Sequence, residues 1–303
     1  MKGMDESNSY HDPVLLTESV KALIRKKDGL YIDGTLGGSG HSKAFLSVLN
    51  DEGRLIAFDQ DRAVVRNLPQ DNRFVWVHSN FRYLKKYLQY YKIEKIDGVF
   101  ADLGVSSYHF DQEERGFSFR SGSPLDMRMS EANPMTAHDV LMSYPQDRLL
   151  AVFHDFGELT NASRIAAKLV SDRKNRSFGS CIEFATWLEQ FSYGKPHQFL
   201  AKAFQALRME VNEEIQCLQE FLEQAGEMLV SGGVLAVISY HSLEDRVVKN
   251  FLRGTANDEA EKFYGRRKII FLSENKKVIQ PSDNEQSKNP RSRSAKLRIG
   301  IKI

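Results

Sequence analysis

The chain has 303 residues, enough for one large α/β domain or for a main domain that carries a smaller one. Its 42 lysines and arginines against 40 aspartates and glutamates leave a formal charge of +2, which neither requires nor excludes a nucleic-acid partner. Two cysteines are too few for a disulfide framework or a structural zinc site, and no apolar run is long enough to cross a bilayer, so we expect a reduced, cytoplasmic protein with no metal and no membrane partner.

Short apolar runs alternate with helical patterns along the chain. Strands are predicted at five places: 30–33, 54–59, 73–78, 96–103 and 233–240. Because these runs are almost continuously apolar and have helices between them, they predict a buried parallel sheet. Two later runs, 268–273 and 296–303, alternate polar and apolar residues and predict an antiparallel edge hairpin.

The connection between the fourth and fifth predicted strands, from roughly 104 to 232, is far longer than the loops usual in α/β units. Apolar residues at helical spacing in "RIAAKLVSDRK" and "CIEFATWLEQF" predict an inserted helical domain there. Near the end of the chain, segment 274–295 is polar and rich in turn formers, which predicts an exposed loop.

A glycine-rich turn, "YIDGTLGGSGHS" at 31–42, follows the first predicted strand. Such a turn lets a ligand approach the backbone, and the following helix offers free N–H groups. The dinucleotide fingerprint fits at Gly38 and Gly40 but requires a small residue where Lys43 stands, and no phosphate-binding G-x-x-x-x-G-K-[ST] run is present. A nucleotide-like cofactor without a pyrophosphate therefore fits the turn better than NAD.

Three acidic residues end predicted strands near this turn. Asp59 ends the second strand, where a carboxylate can accept hydrogen bonds from both ribose hydroxyls of an adenosine, although it can also simply cap its own turn. Asp33 and Asp102 end the first and fourth strands. Carboxylates repel a diphosphate but suit the sulfonium and ammonium groups of S-adenosylmethionine, so the charge pattern favours that ligand.

Eight sequence blocks follow one another between residues 12 and 298: "DPVLLTES", "YIDGTLGGSGHS", "DLGVSS", "ERGFSF", "PLDMRM", "FQALRMEVNEE", "ISYHSLEDRVVK" and "NPRSRSAKLR". Together they resemble the bacterial RsmH or MraW family of small-subunit ribosomal RNA cytosine-N4 methyltransferases. The resemblance implies S-adenosylmethionine as methyl donor and the exocyclic amino group of a cytidine in the decoding region of 16S rRNA as acceptor.

The resemblance also implies a Rossmann-like class I methyltransferase sheet that is interrupted by a small helical domain. We therefore expect the methyltransferase domain at 1–107 and 213–303, and an inserted domain for substrate recognition at 108–212. The partner that the resemblance implies is 16S rRNA within the small ribosomal subunit. A homodimer stays open.

The resemblance carries a set of cofactor contacts onto matching positions: Ser39, Gly40, His41, Asp59, Phe81 and Asp102. A further contact falls on His109, where the family usually has glutamine; a neutral imidazole can likewise donate one hydrogen bond and accept another.

Two residues are predicted to act on the substrate base. We expect Asp102 to accept the protons of the target amine, with nearby backbone carbonyls as the alternative, and His241 to touch the base. A structural role is the alternative for His241. Beside it, Ser242 and Asp245 match a helix capping box.

Basic residues cluster in the second half of the chain and are candidate phosphate contacts. The principal candidates are Arg246, Lys249, Arg291 and Arg293. Further candidates are Arg173, Lys174, Arg176, Arg253, Arg266, Arg267 and Lys268. The alternative for each is a solvated surface charge.

Three competing functions stay open. A noncatalytic RNA-binding assembly factor would not require the acidic crevice, and it is the rival from a different class. Among enzymes, a DNA amino-methyltransferase comes next, and a nicotinamide oxidoreductase comes last because the dinucleotide fingerprint is broken.

Overall fold

The structure is a computed structural model and describes residues 13–104, 115–254, 271–274 and 277–303. The chain divides into two compact units, Met1–Gly104 with Cys217–Ile303, and Val105–Gln216, which we call the first and the second unit. The bounds expected from the sequence for the insertion, 108–212, differ from those of the second unit by a few residues.

The first unit is built on a mixed sheet. Its described strands are β1 (Leu30–Asp33), β2 (Arg54–Asp59), β3 (Phe74–His78), β4 (Ile96–Asp102), β5 (Leu229–Ser239), β6 (Phe271–Ser273) and β7 (Lys296–Lys302). Their order is β3-β2-β1-β4-β5-β7-β6. The first five are parallel, whereas β7 runs antiparallel to both β5 and β6. The predicted Rossmann-like α/β class and the antiparallel edge are confirmed.

Helices in chain order are α1 (Leu16–Leu23), α2 (Gly40–Val48), α3 (Leu84–Tyr90), α4 (Ala137–Ser143), α5 (Gln146–Ala151), α6 (Ala162–Asp172), α7 (Cys181–Glu189), α8 (Pro196–Val211), α9 (Glu214–Met228), α10 (Ser242–Leu252) and α11 (Asp283–Lys288). In the described part of the chain, none is long and apolar enough to span a membrane.

The sheet of the first unit buries both of its faces, which is why its strands are continuously apolar. Tyr31 and Phe100 contribute to a core with α1 and α2, whereas Ile32 and Val99 contribute to a second core with α3, α9 and α10. The strand order reverses at β1, since β2 and β4 lie on its two sides. Open α/β sheets bind ligands at such a point, outside the carboxyl ends of the strands.

The second unit has its own core. An aromatic cluster forms its centre: the rings of Phe178 and Phe184 lie 5.6 Å apart, and the Trp187 ring stacks on Phe184 at 5.8 Å. Capping boxes start two of its helices, α4 at Thr136 and α7 at Ser180. The helical patterns that predicted an inserted helical domain correspond to α6 and α7.

Within segment 274–295, the described residues 277–295 contain a helix and a 3₁₀ turn, so the expectation of a simple exposed loop is wrong there. Ile279 pairs with Leu297 beside β7. Ser282 then accepts a hydrogen bond from the backbone of Glu285 and starts α11, and a 3₁₀ turn at Pro290–Ser294 leads into β7. The turn formers of this segment serve as helix caps.

Candidate functional site

The glycine-rich turn begins where β1 ends, and the carboxylate of Asp33 organises it. Asp33 is fully buried; its Oδ1 accepts a hydrogen bond from the backbone N of Thr35 at 3.0 Å, and its Oδ2 accepts one from Ser42 Oγ at 2.7 Å. Burial raises the pKa of Asp33 to about 6, against the opposing effect of these bonds. Since Ser42 lies in the first turn of α2, one carboxylate connects both ends of the glycine-rich turn.

Ser39, at the end of the turn, has two features that packing does not explain. Its φ is 65°, in the left-handed region that residues other than glycine rarely adopt. Its Oγ is buried and has no hydrogen-bond partner in the described ranges. Such a hydroxyl costs about 1–3 kcal/mol, and strained residues concentrate at ligand sites. Both features favour the predicted ligand contact.

Residues 13–15, the N-terminal segment, pack against the start of α2. A Cβ added to Gly40 would lie 2.2 Å from Cγ of Pro13, so the segment and the helix approach as closely as only glycine allows. The next residue, His41, is buried, and its Nε2 lies 3.0 Å from the carbonyl O of Val14. The backbone N of Leu15 donates to Glu285 Oε1 at 2.8 Å.

Asp59 connects the end of β2 to the same turn. Its Oδ2 accepts a hydrogen bond from the backbone N of Gly37 at 2.9 Å, and its Oδ1 accepts one from the backbone N of Asp61 at 2.9 Å. The side chain is half-buried, and a carboxylate can accept about four hydrogen bonds. The predicted turn cap is therefore present.

Asp102 lies at the end of β4 with both carboxylate oxygens near polar groups. Tyr240 O–H donates to its Oδ1 at 2.8 Å, and His41 Nδ1 lies 3.7 Å from its Oδ2. Its backbone N donates to Thr35 Oγ1 at 2.6 Å, which joins β4 to the turn. Burial, assisted by the charges of Asp33 and Glu244, raises the pKa of Asp102 to about 7.

The ends of β1, β2 and β4 thus bring together three of the predicted acids, Asp33, Asp59 and Asp102. The charge of Asp59 raises the pKa of Asp33, and the charge of Asp33 raises the pKa of Asp102. A cation bound beside these carboxylates relieves that repulsion. The electrostatics and the partnerless hydroxyl of Ser39 together fit a ligand with positive groups.

Phe81 lies in the turn after β3 and packs edge-on against Phe221 of α9, with ring centroids 4.8 Å apart. The neighbouring Arg82 holds this turn in place, because its guanidinium donates to both carboxylate oxygens of Glu220 at 2.7 Å. Phe81 is half-buried, so part of its ring is exposed. Its contact with a cofactor stays a prediction.

The capping box at the start of α10 is one residue earlier than predicted. The cap is His241, whose Nδ1 accepts from the backbone N of Glu244, and Glu244 Oε2 in turn accepts from the backbone N of His241. Ser242 is already the first helical residue, and Asp245 instead binds Arg298 through two hydrogen bonds of 2.7 and 3.1 Å. His241 therefore has a structural role, and its contact with a base stays a prediction.

The predicted basic residues differ in their surroundings. The described ones that are exposed are Arg246, Arg253, Arg291, Arg293, Lys174 and Arg176; Lys249 is half-buried. Arg173 is different, since its guanidinium donates to the carbonyls of Leu141 and Tyr144 at 2.9 and 2.6 Å. It joins α6 to the end of α4. His109, Arg266, Arg267 and Lys268 lie outside the described residues.

Sequence reasoning missed Tyr240, Thr35 and Val14, which all contact predicted site residues. Tyr240 had a usable signal, because it follows β5 directly and parallel strands present their carboxyl ends at one edge. Thr35 lies inside the quoted glycine-rich turn. Nothing local to Val14 indicates its contact with His41, which depends on how α1 packs.

The sequence was compared with known proteins. A family model described as the MraW methylase family matches residues 8–303. A Bacteroides fragilis protein named Ribosomal RNA small subunit methyltransferase H is 48% identical over 302 residues, 98% of this chain and 99% of that one. A Parabacteroides distasonis protein of the same name is 46% identical, over 99% of this chain and all of the other.

The solved structure of an rRNA methylase from Streptococcus thermophilus aligns over 95% of this chain and 93% of the methylase chain, at a TM-score of 0.39 and 14% identity. That likeness is too low to bear on activity.

Proposed function

Because the chain belongs to the MraW methylase family, we propose that it transfers a methyl group from S-adenosylmethionine to the exocyclic N4 of a cytidine in the decoding region of 16S rRNA. It is a methyltransferase, and the name that its relatives share supports small-subunit ribosomal RNA as the substrate. The observation that carries the proposal is the group of three carboxylates around a turn that holds the partnerless hydroxyl of Ser39.

S-adenosylmethionine is the methyl donor, and the acidic residues around the turn suit its positive charge. The side chain of Asp59 would accept hydrogen bonds from the ribose hydroxyls, and the turn at Ser39, Gly40 and His41 would hold the amino-acid end. Phe81 would lie against the adenosine, and Asp102 would lie beside the methyl group. His109 would be a further contact by resemblance alone.

When bound, S-adenosylmethionine supplies an electrophilic methyl carbon: the nitrogen–carbon bond forms as the carbon–sulfur bond breaks, and the electron pair stays on sulfur. The protein must orient a poor nucleophile, because the lone pair of the cytosine amine is delocalised into the ring. Positioning alone is worth roughly 7 to 11 kcal/mol in well-oriented reactions.

Asp102 is the group that we propose for the proton. Its pKa of about 7 leaves the carboxylate mostly ionised just above neutral pH and keeps it basic enough to accept a proton. Tyr240 O–H holds Oδ1 at 2.8 Å and thereby orients the carboxylate. Accepting a hydrogen bond from the amine favours the more nucleophilic, tetrahedral nitrogen.

RNA binding would fall to basic residues of the first unit and to the second unit. Arg246 and Lys249 lie on α10, and Arg291 and Arg293 lie in the 3₁₀ turn before β7. These four would contact phosphates, whereas His241, at the cap of α10, would touch the base. The second unit would recognise the RNA substrate. A cytoplasmic location and a homodimer stay predictions.

The deciding experiment is methyl transfer from labelled S-adenosylmethionine to small subunits that lack the modification, followed by nucleoside analysis. We expect N4-methylcytidine at one site. Asp102→Asn should lose most turnover even at saturating cofactor, whereas Asp97→Asn, the same change at the other end of β4, should behave as wild type.

Two results would replace the proposal with its rivals. Cofactor binding without transfer to any nucleic acid would support the noncatalytic assembly factor. Methyl transfer to DNA in place of ribosomal RNA would support the amino-methyltransferase of DNA. Full turnover by Asp102→Asn would remove Asp102 from the chemistry and leave the backbone carbonyls.

A further inference from the structure

The imidazole of His41 has a defined tautomer. Its Nε2 lies 3.0 Å from the carbonyl O of Val14, which can only accept, so Nε2 carries the ring hydrogen. The ring is buried against Phe100 and Phe45, with centroids 4.6 and 6.1 Å away. This burial lowers the pKa of His41 to about 4, so the ring is neutral at physiological pH and Nδ1 carries a lone pair.

The lone pair of His41 Nδ1 faces the carboxyl group of Asp102. The distance from Nδ1 to Oδ2 is 3.7 Å, whereas Oδ1 is already bound by Tyr240 O–H at 2.8 Å. While Asp102 is ionised, two acceptors face each other without a hydrogen between them. The contact becomes a hydrogen bond once Oδ2 carries a proton and the groups approach by about 1 Å, as catalytic contacts often do when substrate binds.

We propose that His41 is a positioning residue for Asp102: its Nδ1 accepts the hydrogen of Oδ2–H after Asp102 has taken a proton from the substrate amine, which makes Asp102 a stronger base. The inference rests on the proposed function. The proton leaves nitrogen as the nitrogen–carbon bond forms and becomes the O–H hydrogen of Asp102. It passes to solvent once the product has left, so no further reactant is needed.

Other charged or titratable groups also face Asp102. Asp33 and Glu244 raise its pKa through their like charges, and Tyr240 lowers it by donating to the ionised form. The proposed hydrogen bond, which Asp102 donates to His41, raises the pKa of Asp102 as the two acids do, because it stabilises the protonated carboxyl. A variant that changes only the Nδ1 acceptor separates this contribution from the others.

His41→Gln is that variant, since the glutamine amide can still donate to the carbonyl of Val14 but places no acceptor at the position of Nδ1. The first measurement is made without cofactor or RNA, by NMR titration of the Asp102 carboxyl and of the His41 ring nitrogens. We expect the Nε2–H tautomer in the wild type, and a fall in the pKa of Asp102 of about half a unit to one unit in His41→Gln.

Glu285→Ala is the control. It releases the other anchor of the N-terminal segment, at Leu15 N, and the charge of Glu285 acts on Tyr240, whereas Asp33 and Glu244 are the acids that act on Asp102 itself. We therefore expect it to leave the pKa of Asp102 close to the wild-type value. An unchanged pKa in His41→Gln, or an Nδ1–H tautomer in the wild type, overturns the proposal. Equal shifts in both variants overturn it too, because loosening of the segment would then explain them.

The second measurement is the pH dependence of kcat/KM. Its acid limb reports the essential base in the free enzyme, so we expect it to move to lower pH in His41→Gln by the same amount as the titration. The plateau should also fall, because a weaker base accepts the proton less well. A wild type that binds cofactor without methylating ribosomal RNA would defeat the proposed function, whereas the titration tests the pairing of His41 with Asp102 by itself.

Discussion

Replacing Asp33 by asparagine should stabilise the first unit at neutral pH. Asp33 is 0% exposed, and its oxygens accept hydrogen bonds from Thr35 N and Ser42 Oγ, with a further contribution from the Thr35 side chain. Asparagine has nearly the same shape and keeps an oxygen for Thr35 N, while its amide can donate to Ser42 Oγ. The substitution therefore removes a buried charge and leaves the turn intact.

The shifted pKa sets the size of the effect. Burial raises the pKa of Asp33 from its ordinary 3.8 to about 6. Each unit corresponds to about 1.4 kcal/mol, so ionisation of the folded chain costs about 3 kcal/mol more than ionisation of the unfolded chain at pH 7.5. Because the folded-state pKa is raised, the stability from this group is present below pH 3.8 and is lost as the pH rises through about 6. The advantage of asparagine should thus fall well below 1 kcal/mol near pH 4.

Urea unfolding at several pH values measures this difference. The two tryptophans lie one in each unit, Trp76 in β3 and Trp187 in α7. Trp187→Phe in both proteins makes tryptophan fluorescence report on the first unit alone. Asp71→Asn is a control whose effect on stability should have the opposite sign. Arg73 lowers the pKa of Asp71 to about 2, so loss of the Asp71 carboxylate should destabilise the first unit at pH 7.5. A stability difference for Asp33→Asn that stays constant from pH 4 to pH 7.5 would refute the reasoning.

Three other outcomes are expected. Gly40→Ala should weaken S-adenosylmethionine binding by roughly tenfold in calorimetry, since the new methyl group must displace the proline ring packed against it; unchanged affinity would show that the N-terminal segment does not shape the site. Arg173→Ala should lower the unfolding free energy of the second unit by about 2 kcal/mol, because two carbonyls lose a charged donor. In the same denaturation assay, Lys174→Ala, at the exposed neighbouring residue, should change this free energy little. Joint replacement of Arg291 and Arg293 by alanine should reduce the slope of log affinity for RNA against log salt by about 1.5, and an identical slope would remove both from the phosphate contacts.

The strands were the most predictable part of the fold. A parallel strand covered on both faces must be apolar at almost every position, so the pattern is visible in a few consecutive residues. β1 and β2 were predicted with the bounds that the structure has. β5 begins at Leu229, before the predicted start at 233, because the turn formers Ser231 to Gly233 lie within the strand.

The cap of α10 shows where local patterns become ambiguous. The predicted box, Ser242 with Asp245, and the observed box, His241 with Glu244, are offset by one residue, and serine is the commoner cap. The backbone decides otherwise, since His241 is still extended at φ −129° and ψ 164°. Asp245 is then free to bind Arg298 of β7, a contact between residues that no helical pattern connects.

The contacts that define the candidate site are the least predictable from sequence. Tyr240 and Asp102 are 138 residues apart, and His41 meets Val14 across a span of 27. Strand ends predict which edge of the sheet a residue reaches, but not which oxygen faces which nitrogen. That detail depends on the packing of α1 and α2 and on side-chain rotamers. For His41 it also depends on which ring nitrogen carries the hydrogen, and the carbonyl of Val14 decides this.

The anchor between Leu15 and Glu285 also bears on the order in which the chain can fold during its own synthesis. The second unit is one continuous stretch of chain, and such a domain can fold as it emerges. The first unit must wait for β7, which inserts between β5 and β6, and for α11, which holds the segment packed on the glycine-rich turn. A nascent chain therefore completes the sheet and the anchor at Leu15 only after α11 and β7 have been translated, more than 250 residues after α1.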